Sequence, residues 1–396
     1  MLSNLAAAPS DPILGVTEAF NADTAPDKVN LGVGVYLDEN GKTPLMDCVR
    51  VAETDLAARH RPRGYLPQTG MPVFDAATQE LVFGPDCAAV KAGRVATLQT
   101  LAGTGALRVG AGLLALACPD APVLLSDPSW ENHEALFSRA GLSIGRYRYY
   151  DPAGRRLDVD GMVADLAQAA PGSIVVLHGC CHNPTGYDLT PADWDRVVAV
   201  LAERQLVPFI DMAYQGLARG LDEDRYGVEA CVRAGLDFLV ANSFSKIFGL
   251  YGERVGALSI VAADAAEASR IVSQAKVVVR SLYSNPPTQG AAIVSGILTT
   301  PELKASWEQE LAVMRQRIID MRAAFRAGLE AAGVTQDLSY ITSQTGLFSY
   351  SGLSTDQMRR LREDHIYGLD SGRLCVAGLN PGNLDKVVAA VAAVMG

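Results

Sequence analysis

The strongest local signal for chemistry is a lysine that stands beside groups able to bind a phosphate. Lys246 lies in the segment 242–249, with Ser243 and Ser245 just before it and Arg254 eight residues after it. Two hydroxyl groups and a guanidinium suit a phosphate, because arginine can donate two parallel hydrogen bonds to its oxygens. Burial lowers the pKa of a lysine amine toward the neutral form that attacks a carbonyl carbon. The pattern favours a cofactor with both an aldehyde and a phosphate; a surface lysine in a polar loop is the alternative.

A second signal is a carboxylate at the end of an apolar segment. Asp211 directly follows the apolar residues 207–210, and Tyr214 comes three residues later. A carboxylate in this place can pair with a protonated ring nitrogen, which makes a heteroaromatic ring an acceptor of electrons. Tyr214 is then available to bond a ring oxygen. The alternative is that Asp211 caps the next helix and Tyr214 only packs.

A glycine-rich turn at residues 101–108 predicts a further part of the phosphate site. Gly103 and Thr104 lead into a helical pattern, where backbone N–H groups at the helix start can face an anion. The same turn is also compatible with a dinucleotide site in a nicotinamide oxidoreductase. That motif requires a glycine where Arg108 stands, and it leaves Lys246 without a role.

The segment 178–186 provides another candidate ligand-binding side chain. Asn183 follows a strand end and can donate to a cofactor oxygen or a substrate carboxylate. The neighbouring Cys180 and Cys181, with a histidine on either side, suggest a metal site, but adjacent cysteines cannot easily bind one ion together. We therefore predict no metal site. The tight turn also permits a cis peptide bond before Pro184.

Two aromatic residues and two arginines complete the candidate set. Trp130 offers a flat face for stacking on a heteroaromatic ring, and His133 could orient Asp211 from behind. A buried tryptophan and a loop histidine without a function are the alternative. Arg280 and Arg373 lie among apolar or small residues, where an unpaired charge is costly, so each is expected to meet a carboxylate. Two such arginines indicate a dicarboxylic substrate, although structural ion pairs would explain them as well.

The elements that must position these residues alternate between strands and helices. Short segments rich in Val, Ile and Leu predict strands buried on both faces. They span residues 123–126, 144–149, 174–178, 207–210, 238–241 and 255–261. Helical patterns such as 191–204 separate several of them, which predicts a mainly parallel sheet with helices on both sides. In such sheets ligands bind beyond the carboxyl ends of the strands, where Lys246 and Asp211 lie.

A long helix and a mixed C-terminal section predict a second, smaller domain. An apolar stripe from Trp307 to Leu329 predicts one helix that begins near Pro301 and ends near Gly333. The pattern after it predicts strands at 346–350 and 373–377, and helices at 354–363 and 383–394. Residues from about 12 to 42 are expected to join this α+β section, because the pattern at 31–44 predicts a strand and a turn.

Composition and charge exclude several classes of protein. The formal net charge of −10 disfavours a nucleic-acid partner, because an acidic chain repels the phosphate backbone. Seven cysteines without a CxxC pair predict reduced thiols in a cytoplasmic protein. The first residues lack the basic region and apolar run of a signal peptide, and no uncharged apolar stretch reaches about 18 residues, so no membrane span is expected.

Six motifs together resemble those of one family. They are HGCCHNPTG, DMAYQG, NSFSKIF, GERVG, YSNPP and SGRLCVAGLN, and they occur in the family's order. Over nearly its whole length the chain resembles the fold-type I, class I aminotransferases, specifically the bacterial aspartate and aromatic-amino-acid enzymes. The resemblance implies a seven-stranded large domain at 43–311, a small domain at 12–42 and 312–396, and an N-terminal arm at 1–11. It also implies a homodimer whose active sites are shared between the subunits.

The resemblance further implies pyridoxal 5′-phosphate as the cofactor. Lys246 would hold it covalently and move the substrate proton, while Asp211, supported by His133, would pair with the ring nitrogen. The remaining contacts would be Trp130 stacked on the ring, Tyr214 and Asn183 at the ring oxygen, Gly103, Thr104, Ser243, Ser245 and Arg254 at the phosphate, and Tyr65 reaching the phosphate from the partner subunit. Ala102 stands where some members carry serine, which removes one expected phosphate contact.

For the substrate, the resemblance implies that Arg373 binds the α-carboxylate and that Arg280 of the partner subunit meets a side-chain carboxylate. Gly34, Trp130 and Asn183 would also line the substrate position. The expected reaction moves an amino group from an aromatic (Phe, Tyr) or dicarboxylic (Asp) amino acid to 2-oxoglutarate. An aspartate-restricted aminotransferase is the alternative, and another reaction of the same cofactor, such as decarboxylation, stays open. A cofactor sensor within a transcription regulator would need a DNA-binding domain, for which the chain has no spare length.

Overall fold

The computed structural model describes residues 2, 5–7, 11 and 13–396. Its helices are α1 (Leu14–Ala22), α2 (Asp47–Ala58), α3 (Pro72–Phe83), α4 (Ala88–Lys91), α5 (Ala102–Ala117), α6 (Glu131–Ser138), α7 (Val159–Gln168), α8 (Pro191–Glu203), α9 (Tyr226–Arg233), α10 (Ala265–Leu282), α11 (Gln289–Leu298), α12 (Pro301–Ala331), α13 (Ser339–Ser343), α14 (Thr355–Glu363) and α15 (Leu384–Met395). Its strands are β1 (Val29–Asn30), β2 (Val95–Leu101), β3 (Val123–Asp127), β4 (Ile144–Arg148), β5 (Tyr150–Asp151), β6 (Arg156–Leu157), β7 (Ile174–His178), β8 (Val207–Met212), β9 (Phe238–Ser243), β10 (Val255–Val261), β11 (Phe348–Tyr350), β12 (Ile366–Tyr367) and β13 (Arg373–Cys375). The predicted arm at 1–11 lies mostly outside the described residues.

A seven-stranded sheet forms the centre of the molecule. The strand order is β2-β10-β9-β8-β7-β3-β4, and only β10 runs antiparallel to its neighbours. The predicted mainly parallel, seven-stranded α/β sheet is confirmed. Six of its strands coincide with predicted segments to within two residues at either end. Because β7, β8 and β9 are parallel neighbours, their carboxyl ends meet at one edge of the sheet.

The seventh strand, β2, was not predicted. It contains Thr97, Gln99 and Thr100, which interrupt the apolar run that would have marked a buried strand. These polar side chains are buried in the fold, and their hydrogen-bond partners come from distant segments; the Thr97 hydroxyl, for example, lies 2.8 Å from that of Ser259 on β10. Sequence pattern alone cannot show such partners.

The prediction of a strand within residues 31–44 is wrong. The only strand nearby is β1, which precedes the segment and pairs in parallel with β12. After Leu31 the chain leaves the pairing, because the N–H groups of Val35 and Tyr36 donate to the Val33 carbonyl at 3.0 Å and to the Tyr251 hydroxyl at 2.9 Å instead of to a strand. Gly34 packs closely on Phe348, so that a Cβ at Gly34 would lie 2.6 Å from the Cζ atom of the ring. The predicted turn does form, since the Asp38 N–H donates to the Lys42 carbonyl at 2.7 Å. The expected domain boundaries stay a prediction.

The long helix α12 packs against two segments that are far apart in the sequence. Near its start, the Trp307 indole N–H donates to the Ile247 carbonyl at 2.7 Å, and its ring stacks on Phe248 at 4.6 Å. Further along, the buried Arg322 guanidinium donates to four backbone carbonyls of the 341–348 loop, including that of Phe348. One helix therefore holds the segment after Lys246 and the loop before β11. Among the described residues, no helix is long and apolar enough to cross a membrane.

Helix α5 lies so close to the sheet that one of its glycines is required. A Cβ on Gly110 would come within 2.4 Å of the Phe209 ring in β8, whereas a Cβ on Gly296 in α11 would meet no atom within 4 Å. We predict that Gly110→Ala lowers the free energy of unfolding by about 1–3 kcal/mol through overpacking. Gly296→Ala, the matched control, should raise it by up to about 1 kcal/mol through helix propensity. Denaturant unfolding followed by circular dichroism measures both; equal effects would contradict the packing argument.

Candidate active site

The candidate site is a cavity of about 260 Å³ at the carboxyl edge of the sheet. Predicted residues that line it are Gly34, Gly103, Thr104, Trp130, Asn183, Asp211, Tyr214, Ser243, Ser245, Lys246, Arg254 and Arg373. They come from the segments at or after the ends of β3, β7, β8 and β9, from the start of α5, from the turn before β10, and from the N-terminal and C-terminal sections. Residues more than 300 positions apart in the chain thus face one small volume.

Lys246 lies in the turn after β9 with its side chain partly buried in the cavity. Its Nζ atom lies 5.1 Å from the centre of the Tyr214 ring. Burial, together with the positive charges of Arg254 and Arg373, lowers the pKa of Lys246 to about 8, and the nearby charge of Asp211 opposes the shift. Close to neutral pH, a larger fraction of this amine is therefore neutral and nucleophilic than of an ordinary lysine.

Asp211 ends β8 and is held from behind by a histidine. Its Oδ2 atom lies 3.0 Å from Nε2 of the fully buried His133, whose Nδ1 lies 2.9 Å from the Ser129 hydroxyl. Burial raises the pKa of Asp211, but the hydrogen bond and charge of His133, with the charges of His178 and Lys246, outweigh it and lower the net pKa. The carboxylate therefore stays ionised in a buried place, which is what a positively charged ring nitrogen needs.

Hydroxyls, an arginine and a helix start converge at another part of the cavity. The Ser243 and Ser245 hydroxyls lie 3.2 Å apart, and an Nη1 hydrogen of Arg254 points to Ser245 at 3.4 Å. Gly103, in the first turn of α5, packs against Ser243, so that a Cβ there would lie 3.2 Å from the serine Cβ. Backbone N–H groups of the first helical turn have no partner within a helix and attract anions. The group is suited to a phosphate.

Arg373 is a buried cation whose guanidinium meets no carboxylate among the residues that the structure describes. It donates to Asn183 Oδ1 at 2.9 Å and to the Gly32 carbonyl at 2.6 Å, and it lies 4.2 Å above the Phe348 ring. Within the same part of the chain, its Nε atom has no hydrogen-bond partner. Burial lowers the pKa of Arg373, yet the group remains charged. A buried cation with unused donors at a cavity wall is suited to bind a carboxylate of a small ligand.

Three predicted site residues do not line the cavity. His133 lies behind Asp211, in keeping with the supporting role expected of it. Tyr65 is 95% exposed, and Arg280 at the end of α10 is exposed and bonds to Ser284. Within one chain, Tyr65 and Arg280 are not brought to the cavity of that chain.

Several cavity residues were missed by the sequence reasoning. Tyr251 lines the cavity and accepts the Tyr36 N–H at 2.9 Å. It lies in the sequence between the motifs NSFSKIF and GERVG, and this position could have identified it as a candidate. Phe348 and Ile13 carry no local signal, because apolar side chains in distant segments look like ordinary core residues. His178 lines the cavity with both ring nitrogens lacking a partner. The predicted cis bond between Asn183 and Pro184 is present.

Comparison with known proteins agrees with this arrangement. The family model for aminotransferase class I and II matches residues 26–391, and the chain belongs to this family. It is 51% identical to an aspartate aminotransferase of Pseudomonas aeruginosa and 46% identical to an aromatic-amino-acid aminotransferase of Escherichia coli, each over 100% of both chains. Among solved structures, it is similar to an aromatic-amino-acid aminotransferase of Burkholderia pseudomallei covalently bound to pyridoxal phosphate. That match has a TM-score of 0.98 at 53% identity and covers 100% of both chains.

The environment of Lys246 generates a testable pH dependence. In the cofactor-free full chain, acylation of Lys246 should rise with pH about a midpoint near 8, as its amine loses a proton. Asp211→Asn should move this midpoint to lower pH, because it removes the negative charge that favours the ammonium form. Peptide mass spectrometry after brief labelling measures the modification, with the exposed Lys42 as an internal reference for the reagent. A midpoint near the ordinary lysine value of 10.5 would contradict the burial argument.

Proposed function

We propose that this aminotransferase uses pyridoxal 5′-phosphate to move an amino group from an aromatic or dicarboxylic amino acid to 2-oxoglutarate, as a cytoplasmic homodimer. The observation that carries the proposal is that Lys246 and Asp211 face one cavity. The buried amine suits an aldehyde, the ionised carboxylate suits a protonated ring nitrogen, and the Ser243, Ser245 and Arg254 cluster suits a phosphate. These three features fit the three functional groups of one cofactor molecule.

When bound, the cofactor supplies an aldehyde that takes up the amino group and an electron-poor ring that stabilises negative charge on the substrate carbon. Lys246 Nζ would take the proton from the substrate Cα and deliver it to the cofactor carbon that bore the aldehyde, because a neutral amine is a competent base. Asp211 would hold the proton on the ring nitrogen, and His133 keeps the Asp211 carboxylate in place. Trp130, which lines the cavity, would cover the ring.

Substrate orientation depends on Arg373, which binds the α-carboxylate with Asn183 beside it. The walls formed by Ile13, Trp130 and Phe348 are apolar and favour an aromatic side chain. A side-chain carboxylate would meet the partner subunit's Arg280, since this residue cannot serve the cavity of its own chain. Relatives named for aspartate and for aromatic amino acids both match the chain over its full length, which supports a substrate range that includes both.

Removing the amine of Lys246 tests the assignment directly. Lys246→Ala should lose the visible absorbance of covalently held cofactor and lower kcat by about a thousandfold or more, because nucleophile and base are both removed. The matched control is Lys91→Ala, which deletes an exposed lysine that pairs only with Asp86. Absorbance spectra and turnover are compared in both variants. Full activity in Lys246→Ala would refute the proposal.

The proposed substrate range has its own test. Arg280→Ala should lower kcat/KM for aspartate by about 30-fold or more, because a buried carboxylate loses its partner, and should change that for phenylalanine by less than about threefold. The control is Arg270→Ala on the same helix, where the side chain is exposed on the surface. Aspartate, phenylalanine and tyrosine are assayed with 2-oxoglutarate. Turnover of aspartate alone in the unaltered protein would favour the aspartate-restricted alternative.

A further inference from the structure

A buried glutamine on β2 forms hydrogen bonds to two segments that are far apart in the sequence. Gln99 is 1% exposed, and its side-chain amide donates from Nε2 to the Pro287 carbonyl at 2.6 Å. Its Oε1 accepts the N–H of Met71 at 3.3 Å, and its backbone N–H donates to the Thr69 carbonyl at 2.8 Å. One residue thus bonds to the loop at 66–71 and to the turn at 285–287 at the same time.

Each of these segments adjoins one of the two predicted site residues that are exposed outside the cavity. The loop 66–71 directly follows Tyr65, and the turn 285–287 follows the end of α10, which carries Arg280. The two segments also touch, since Asn285 Nδ2 donates to the Leu66 carbonyl at 3.1 Å.

The packing around Gln99 leaves the loop little freedom. Gly70 adopts a φ of +93°, and a Cβ at this position would lie 2.2 Å from the Gln99 Cβ, so only glycine allows the loop to approach this closely. The Gly70 N–H closes a tight turn onto the Pro67 carbonyl at 2.9 Å. The chain is therefore held firmly a few residues beyond the exposed Tyr65 side chain.

We infer that Gln99 is a positioning residue for the active site of the neighbouring subunit, where it fixes both Tyr65 and Arg280 in the orientation that they need to reach across. This rests on the proposed function, in which the partner subunit's site receives these two residues. A glutamine suits the task because one planar amide offers a donor to one segment and an acceptor to the other. Its loss removes the side-chain partner of both the Pro287 carbonyl and the Met71 N–H, which loosens both segments together.

A purely structural role would have a different consequence, because β2 leads directly into the phosphate turn of its own chain. Gln99 lies three residues before Ala102 and four before Gly103, both of which line the cavity. If Gln99 only stabilised β2, its removal would damage the site within the same chain. The two roles therefore differ in which subunit shows the defect.

The first test compares Gln99, which is part of β2, with Gln79, which lies in α3 and forms hydrogen bonds to β2. Gln99→Met keeps the length of the side chain but removes its hydrogen bonds. Gln79→Met is the matched control, because Gln79 Nε2 bonds to the Val95 carbonyl at 3.1 Å and to Thr97 Oγ1 at 3.0 Å without touching either segment. In the homodimer, Gln99→Met should raise KM for aspartate by about tenfold while KM for phenylalanine and kcat change less than about threefold. Gln79→Met should leave this ratio unchanged.

Two readouts do not depend on turnover. Hydrogen–deuterium exchange should increase in residues 64–71 and 283–288 of Gln99→Met and not in the Gln79→Met control. The dissociation constant for pyridoxal phosphate, measured by titration of the cofactor-free chain, should rise because the contact from Tyr65 is weakened. If Gln99→Met does not yield a folded dimer, Gln99→Asn, which keeps an amide but is one methylene too short to reach both segments, takes its place.

The decisive test uses hybrid dimers made from differently tagged chains, in which Lys246→Ala silences one site. In the first hybrid, the silenced chain also carries Gln99→Met, so the live site receives its Tyr65 and Arg280 from the altered chain. In the second, Gln99→Met is in the chain whose own Lys246 is live. The inference predicts that the first hybrid shows the raised KM for aspartate and that the second matches a hybrid with Gln99 intact in both chains.

The opposite pattern, or a defect in neither hybrid, would overturn the inference. The same pair of hybrids made with Arg280→Ala separates this failure from failure of the proposed function. If Arg280→Ala acts only when it is in the silenced chain, the shared site stands and Gln99 alone is at issue. If Arg280→Ala acts within the live chain, sharing itself is wrong, and the inference about Gln99 falls with it.

Discussion

A buried amine and a buried carboxylate that face one cavity are the pair on which the rest of the structure depends. Burial alone would neutralise both Lys246 and Asp211, but their mutual charge and the hydrogen bond from His133 keep Asp211 ionised while the pKa of Lys246 falls only to about 8. The parallel pairing of β8 with β9 brings the two side chains to the same sheet edge. Any change that let water into the cavity would weaken this balance, because charges interact less strongly in a wet site.

The C-terminal section forms another wall of the cavity, and this wall also contains a buried charge. Arg373 is buried with only carbonyl and amide oxygens as partners and lies over the Phe348 ring. Phe348 is in turn held by Arg322, a second buried cation that binds backbone carbonyls. A buried positive charge without a carboxylate partner is costly. For Arg373, which lines the cavity, a ligand with a carboxylate would supply the negative charge.

The proposed function would divide the work of one site between two copies of the chain. Residues of the cavity would bind the cofactor and the α-carboxylate, whereas Tyr65 and Arg280, which are exposed outside the cavity of their own chain, would act on another copy. Their supporting segments meet at Gln99 on β2, the strand that leads into the phosphate turn. The same strand would therefore influence one phosphate site through its end and the neighbouring site through a side chain.

By itself, the sequence determined the mainly parallel sheet, the long helix and the segments that reach the cavity, because these depend on local signals: apolar runs, a helical stripe, and polar residues just past strand ends. Lys246, Asp211 and Asn183 could be placed in this way. Only the tertiary structure decided that β2 is a buried strand, that residues 31–44 form no strand, and that Tyr65 and Arg280 are exposed outside the cavity of their own chain. Those outcomes depend on contacts with residues far away in the chain. A local pattern of residues cannot show which distant group will bond to a buried polar atom or fill the space beside a glycine.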